Sequence, residues 1–199
     1  MKQYTITKIQ GAPNWASIPT IRLEQRYEST PDTASATAQI CYDEERLHLL
    51  LRAAEPVIRR EESGPLGWPC HDSCLEFFFC PVDGDTRYFN IEFNANKCLF
   101  LGFGSGIDDL VRLIIEPDEI FAPDIRLCEG GWEIEYTIPH AFVRRFFPAY
   151  APTSGVSIRA NCYKCADEMA PPEYLSWARV DDENFTFHRP SHFGTMTFQ

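Results

Sequence analysis

The sequence predicts an all-β fold, a single-domain antiparallel β-sandwich with one short helix that occupies residues 1–199. Apolar and polar side chains alternate with a period of two along most of the ordered runs, which is the period of a half-buried strand. Fifteen prolines and eleven glycines separate these runs as turn signals. Helical periodicity is scarce, and only His140–Phe147, between Pro139 and Pro148, has the boundaries of a helix. Ten or more short strands in two packed sheets are therefore expected.

The clearest alternation covers residues 88–94, where three apolar side chains face one way and Asn90, Glu92 and Asn94 face the other. The preceding run, 74–80, alternates in the same manner, and the turn-rich link 81–85 predicts that the two runs pair as a hairpin. Further hairpins and single strands are predicted along the rest of the chain. The predicted strands are Ala36–Tyr42 with Leu47–Ala53, Cys74–Cys80 with Tyr88–Asn94, Cys98–Phe103, Asp124–Cys128 with Trp132–Ile138, Val156–Lys164, Tyr174–Val180 and Gly194–Phe198.

Composition and charge exclude several classes of partner. The 199 residues are 44% hydrophobic and 24% charged, which suits a globular chain with a full core. Eighteen basic against 29 acidic residues give a net charge of −11 without a basic cluster, so neither nucleic acid nor an anionic membrane surface is an expected partner. No apolar run approaches the ~20 residues of a membrane span. Because Met1–Ile6 does not begin an apolar leader, the default expectation is a cytoplasmic protein.

The eight cysteines are predicted to be free and mostly buried thiols, because six of them lie in or at the ends of strand-like runs. Cys162 and Cys165 have the C-x-x-C spacing of a zinc site. Residues three apart on a strand point to opposite faces, so this pair does not predict zinc unless a turn begins at Lys164. Cys70, His71 and Cys74 are further candidate ligands.

Two features suit a hydroxyl-rich ligand. Asn90, Glu92 and Asn94 on one strand, beside Glu76 on its partner, form a rigid set of hydrogen-bond donors and acceptors. The alternative is that they are the solvated side of a half-exposed sheet. Trp68 lies in a Gly- and Pro-rich loop, Pro56–Pro69, where a large ring is expected at the surface unless it folds back to cap the core. Flat rings pack on the C–H faces of sugars.

Three stretches of the chain, taken together in their order and spacing, carry a resemblance to a known family. The stretches are Trp68 followed by Asp72-Ser73-Cys74-Leu75-Glu76-Phe77-Phe78, then Gly130-Gly131-Trp132-Glu133-Ile134-Glu135-Tyr136-Thr137-Ile138-Pro139, and finally Asn184-Phe185-Thr186-Phe187-His188-Arg189-Pro190-Ser191-His192-Phe193-Gly194. This set resembles the family 9 carbohydrate-binding modules, and the resemblance extends over nearly the whole chain, from Trp15 and Ile18 to the last strand. It implies a β-sandwich that holds a mono- or disaccharide between two aromatic rings over a polar sheet face.

The resemblance also implies the site residues. Trp68 matches the first clamp ring, Glu76 the carboxylate that accepts sugar hydroxyls, and Asn184 a ligand-binding asparagine. Three positions depart from the family pattern, with Asn90 and Glu92 standing where the family has an arginine and an asparagine, and Phe187 where it has the second clamp tryptophan. Phe187 is therefore a clamp ring or a ring packed beneath the last strand. The expected ligand-binding set is Trp68, Glu76, Asn90, Glu92, Asn184, Phe187 and Trp177, the last with a mainly structural role.

The expected function is non-catalytic binding of a mono- or oligosaccharide, and two alternatives remain open. Glu76 and Glu92 on neighbouring strands would be about 5 Å apart, the carboxyl separation of a retaining glycosidase. Against hydrolysis, two exposed carboxylates on an open sheet face would lack the desolvation that raises a pKa. The third reading is a structural or assembly β-sandwich with a degenerate site.

No cofactor is required for saccharide binding, but the resemblance implies structural calcium on loops. Acidic residues cluster in four loops, and an acidic run in a solvated turn is the commoner explanation of such clusters. No calcium ligands are therefore assigned. The loops are Asp43-Glu44-Glu45, Asp83 with Asp85, Asp108-Asp109 and Asp181-Asp182-Glu183.

Overall fold

The computed structural model describes residues 2–27, 30–181 and 186–199, and the secondary structure of these residues is dominated by strands. The predicted hairpins are all present, and the ends of their strands differ from the predicted ones by at most one residue. The strands are β1 Gln3–Lys8, β2 Ile21–Arg22, β3 Gln25–Arg26, β4 Ser35–Tyr42, β5 Arg46–Ala54, β6 Cys74–Cys80, β7 Tyr88–Asn94, β8 Leu99–Gly104, β9 Val111–Arg112, β10 Asp124–Cys128, β11 Gly131–Pro139, β12 Ser157–Ala166, β13 Glu173–Ser176 and β14 Gly194–Phe198.

The strands form a curled sheet that folds into the two layers of a β-sandwich. One layer has the order β10-β11-β5-β4, and the other has the order β14-β12-β6-β7-β8-β9. β1 joins the layers, since it pairs with β4 on one side and with β14 on the other. Both β1 pairings are parallel, whereas the sequence predicted antiparallel pairing throughout and no strand at residues 3–8. The remaining paired strands are antiparallel, as predicted.

Two short α-helices accompany the sheet. α2, His140–Phe146, is the predicted helix, and α1, Pro117–Ile120, is a single turn that the sequence did not indicate. Pro139 precedes α2 in extended conformation, which fits the bias of proline toward helix starts. Across the described residues, neither helix has the length and apolarity that crossing a membrane would require.

The core between the layers is built from the apolar positions of the alternating strands. On β6, β7 and β12 the inward residues include Phe77, Ile91 and Cys162, all fully buried. The opposite layer contributes Leu49 and Ile134 to the same cluster. Six of the eight cysteines are buried, all eight are free thiols, and Cys128 at the end of β10 is exposed.

The outward face of β6 and β7 is also buried, which is a correction to one sequence interpretation. Asn90, Glu92 and Asn94 are at most 5% exposed, so they are not the solvated side of a half-exposed sheet. Loops cover this face, among them the loop that carries Trp68 and the segment around Phe187. Period-two alternation identifies the face of each side chain but does not report whether loops will cover it.

Candidate functional site: an aromatic and acidic cavity on the outward sheet face

A cavity of about 330 Å³ lies on the outward face of β6, β7 and β12. This volume is near the lower end of the roughly 300–1,000 Å³ of small-molecule sites. Four residues predicted from the sequence, Trp68, Glu76, Glu92 and Phe187, line it together. The remaining described lining residues are Cys70, Phe100, Ile107, Leu110, Cys165, Asp167, Tyr174, Thr186 and His188.

The loop that carries Trp68 is anchored to β7 by a buried carboxylate. Asp72 is fully buried and accepts hydrogen bonds from the Glu62 backbone amide at 2.7 Å and from Asn94 Nδ2 at 2.7 Å. Arg59 forms an ion pair with the same carboxylate. Asn94 also donates to the Glu62 carbonyl at 2.9 Å, so this predicted polar-face residue holds the loop and does not line the cavity.

Trp68 is a half-exposed ring whose position is fixed by its neighbours. The indole is 50% exposed and stacks on Phe100, with ring centroids 5.5 Å apart and an interplanar angle of 26°. The guanidinium carbon of Arg112 lies 5.5 Å from the Trp68 ring centroid and 4.8 Å from that of Phe100. Such stacking and cation–π contacts restrict the ring before any ligand arrives. Trp68 therefore does not fold back into the core.

Phe187 forms part of another wall and is itself largely buried. It is 7% exposed and stacks on Tyr163, with centroids 4.1 Å apart and an interplanar angle of 15°. Tyr27 and Tyr174 contact the same ring edge to face. Both sequence interpretations of Phe187 thus describe part of its environment, because the ring is packed against an aromatic cluster and also lines the cavity.

Glu76 and Glu92 are directly opposite each other on β6 and β7 and form the acidic floor of the cavity. Burial, and then the neighbouring Glu92 carboxylate, raise the pKa of Glu76 well above its usual range. Burial raises the pKa of Glu92 to about 7, although a hydrogen bond from Asn90 Nδ2 at 2.7 Å opposes the shift. The expectation of two exposed carboxylates with ordinary pKa values is wrong, because loops cover this sheet face. The pair can therefore offer a protonated donor beside an acceptor.

Two polar atoms behind the cavity wall lack a hydrogen-bond partner among the described residues. These atoms are Asn90 Oδ1 and Arg112 Nε. The other atoms of the two groups are engaged, since Asn90 donates to Glu92 and Arg112 Nη2 donates to the carbonyls of Gly67 and Leu99. An unsatisfied buried polar atom costs about 1–3 kcal/mol, but neither residue lines the cavity, so these atoms do not define its occupant.

The structure does not place Trp177 at the cavity. Trp177 is 4% exposed, belongs to the core between the layers, and packs so closely on Gly194 that a Cβ there would lie 2.5 Å from the indole. Its position agrees with a mainly structural role. Asn184 lies outside the described residues.

Several residues at or behind the cavity wall were not predicted as site residues. Arg112, behind the wall, stands on a two-residue strand, Asp167 lies in the Ala166–Pro172 loop, and Tyr174 follows that loop. Tyr174 hydrogen-bonds Asp167, and burial raises the pKa of that carboxyl. β9 and β13 are too short to show an alternation of their own, so local patterning did not identify these side chains as part of a site. Phe100, by contrast, belongs to a predicted strand whose outward face is the one shared with Glu92.

The described acidic loops do not assemble a calcium site. Two of the acidic residues in these loops are engaged locally, Asp85 by Arg87 and Asp109 by the backbone amides of Ser105 and Gly106. Within residues 2–27, 30–181 and 186–199, no three acidic side chains of these loops converge.

A β-sandwich that carries a small cavity lined by aromatic and acidic residues belongs to the class of ligand-binding sheet modules. Comparison with known proteins identifies the family within this class. The sequence profile of carbohydrate-binding family 9 matches residues 14–198. The chain belongs to this family of non-catalytic modules, and the function of the matched residues is carbohydrate binding.

Solved structures are similar over the full length of the chain. A candidate carbohydrate-binding protein from Bacteroides uniformis has a TM-score of 0.84 and 26% identity, and the match covers 100% of this chain and 99% of that one. A family 9 module from Caldicellulosiruptor kristjanssonii, solved in complex with glucose, has a TM-score of 0.70 and 12% identity, covering 100% and 96%. Its complex with cellotriose gives the same TM-score and identity.

A curated relative is much longer than this chain. Endo-1,4-beta-xylanase A of Thermotoga neapolitana is 24% identical over 171 residues. The match covers 84% of this chain but spans only 14% of the length of that relative.

Proposed function

We propose that the cavity bounded by Trp68 and Phe187 binds a pyranose unit of a neutral mono- or oligosaccharide. The observation that carries the proposal is convergence: Trp68, the Glu76–Glu92 pair and Phe187, which are separated by up to 119 residues of sequence, line one cavity. The family 9 module of C. kristjanssonii was solved with glucose and with cellotriose, which makes glucose and cello-oligosaccharides the first ligands to test.

The aromatic walls supply the apolar part of the site. Trp68 presents a half-exposed indole that Phe100 and Arg112 already hold in place. The C–H face of a pyranose packs on such a ring, and the fixed position of the indole avoids an ordering cost on binding. Phe187, more deeply buried, contributes less exposed area and acts as a side wall.

The acidic floor supplies the polar part of the site. Each sugar hydroxyl both donates and accepts hydrogen bonds. With raised pKa values, Glu76 and Glu92 provide a protonated carboxyl and a carboxylate near neutral pH, and so both roles. Asp167 adds a further acidic group to the lining. Uronic acids and sugar phosphates are therefore expected to bind more weakly than neutral sugars, because their charges would face buried carboxyl groups.

Isothermal titration calorimetry with glucose, cellobiose, cellotriose, xylose and glucuronic acid tests the proposal. Trp68→Ala should weaken binding of the preferred neutral sugar about tenfold or more, which corresponds to about 1.4 kcal/mol of lost stacking. Leu66→Ala is the matched control, since Leu66 lies in the same loop, is 71% exposed and does not line the cavity. It should leave affinity within about twofold.

Two outcomes would contradict the proposed site. Binding that survives Trp68→Ala unchanged would place the sugar elsewhere on the module. No binding of any neutral sugar at millimolar concentration would identify the cavity as a degenerate site in a structural β-sandwich. Incubation of the same protein with aryl glycosides should release no product, and release that Glu76→Gln abolishes would favour a hydrolase instead.

A further inference from the structure

Two thiols and one carboxyl group converge at the floor of the cavity. The Sγ atoms of Cys74 and Cys165 and a carboxylate oxygen of Glu76 all lie within 4.8 Å of one another. This is the only such group of three or more His, Cys, Asp and Glu donor atoms in the described part of the chain. All three side chains are buried.

Strand register produces the cluster. Cys74 and Cys165 are paired residues on the adjacent strands β6 and β12, and Glu76 follows Cys74 by two positions on the same face. Cys162 is fully buried in the core between the layers, on the opposite face from Cys165, so the C-x-x-C pair does not form a site. The converging thiols instead come from two strands, a combination that spacing along the sequence does not reveal.

The described residues place no cation on this cluster. Lys164, next to Cys165, is directed to the opposite face, where it pairs with Glu55 and Glu173. No described basic side chain forms an ion pair with Glu76. The thiol of Cys165 donates a hydrogen bond to Glu76 Oε1 at 2.7 Å. Because no described cation is paired with these buried donors, a divalent metal ion can take the place of their protons.

We infer that Cys74, Cys165 and Glu76 bind a thiophilic divalent cation of the zinc class, with the fourth coordination position open to the cavity. Two thiolates and a carboxylate favour zinc over calcium or magnesium, which prefer all-oxygen ligands. Cys165 and Glu76 line the cavity, so water can reach the remaining position. Binding releases the thiol protons, and the proton of Glu76 where it is present, to solvent. Metal binding by these three residues does not depend on a bound saccharide.

Cobalt, a spectroscopic substitute for zinc, tests the site directly. Titration of the chelator-treated, reduced full chain with Co²⁺ should give one-to-one binding with thiolate-to-cobalt charge-transfer bands, and Zn²⁺ should displace the cobalt. Cys74→Ser and Cys165→Ser should each remove about half of the thiolate band. Glu76→Gln should keep that band and weaken the affinity about tenfold or more. Cys80→Ser, a buried cysteine at the far end of β6, is the matched control and should change neither.

A second measurement does not depend on the stability of the variants. Zinc K-edge absorption of the wild-type protein, loaded with one equivalent of Zn²⁺, should count two sulfur ligands and lighter atoms in the remaining positions. Absence of a stoichiometric thiolate band, a zinc shell without two sulfurs, or a band that is lost in Cys80→Ser but kept in Cys74→Ser and Cys165→Ser would each overturn the inference. These measurements contain no sugar, so a negative result would contradict the metal site without contradicting the proposed saccharide site.

Discussion

β6 has two faces that are equally buried but differ in what covers them. Toward the core, Leu75, Phe77 and Phe79 pack between the two sheet layers. On the outward face, Cys74, Glu76 and Phe78 lie beneath loops and beside a cavity. A sheet packed on a sheet has no room for a ligand, whereas loops can leave one. Burial alone therefore does not distinguish the core of this molecule from its site, but the covering element does.

The largest expected effect lies on the core face. Phe77→Ala removes a fully buried ring between the layers and should lower the free energy of unfolding by about 3–5 kcal/mol. Sugar affinity measured on the folded fraction should stay within about twofold, since Phe77 does not contact the cavity. Urea unfolding and calorimetry measure the two quantities. An affinity loss as large as that of Trp68→Ala would show that the two faces are energetically coupled.

The next effect lies on the outward face and depends on pH. The folded-state pKa of Glu92 is raised to about 7 from an ordinary value of 4.5, so the folded protein binds more protons than the unfolded chain between these values. Its contribution to stability is fully present below pH 4.5 and is lost as pH rises through 7. The loss is on the order of 3 kcal/mol. Urea unfolding of the chelator-treated protein between pH 5 and 8 measures the slope.

Glu92→Gln is expected to flatten that slope, because the amide cannot ionise. Glu116→Gln, at an exposed position, serves as the control and should leave the slope unchanged. Glu76 and Asp167 face the same cavity and contribute to the slope in the same direction, so a residual slope is expected in Glu92→Gln. His188 also lines the cavity, and burial lowers its pKa to about 4, so this residue contributes a slope of the opposite sign below pH 6.5. The test is therefore the difference between the two proteins, and equal slopes in the wild type and Glu92→Gln would mean that Glu92 is ionised in the folded state.

The smallest effect separates the two roles of Phe187. Phe187→Leu loses the stack on Tyr163 and should reduce both the free energy of unfolding and that of sugar binding by about 1 kcal/mol. Phe193→Leu is the comparison, because Phe193 is fully buried in the same aromatic cluster but does not line the cavity. It should reduce stability alone. Equal effects of the two variants on affinity would assign Phe187 to packing only.

The sequence predicted the fold well because alternation and turn residues are local signals. β14 has the predicted bounds and α2 ends one residue early. β13 ends at Ser176, before the predicted end at Val180, although the Trp177 amide still donates a hydrogen bond to the Cys162 carbonyl of β12. The parallel strand β1 was missed. Its two pairings depend on residues near 41 and 196, which no local pattern connects to the first strand.

The site was predictable only in part. Trp68, Glu76, Glu92 and Phe187 came from resemblance and from one strand face, and they line one cavity. Arg112 and Tyr174 stand on the short strands β9 and β13, which hold too few residues for an alternation to show which side chains face the site. The raised pKa values also escaped prediction, because they depend on loops that cover the sheet. The alternation of apolar and polar residues identifies which side chains share a sheet face, but only the folded structure shows which loops cover that face.

The anchor beneath the Trp68 loop has a consequence for how affinity can be tuned. Asp72 ties Arg59, the Glu62 amide and Asn94 together without lining the cavity. An indole that is already immobilised gives up no rotational freedom when a sugar arrives, so most of the ordering cost falls on the ligand. Substitutions among these anchoring residues can therefore change the affinity of the module for sugar while every side chain that faces the sugar stays the same.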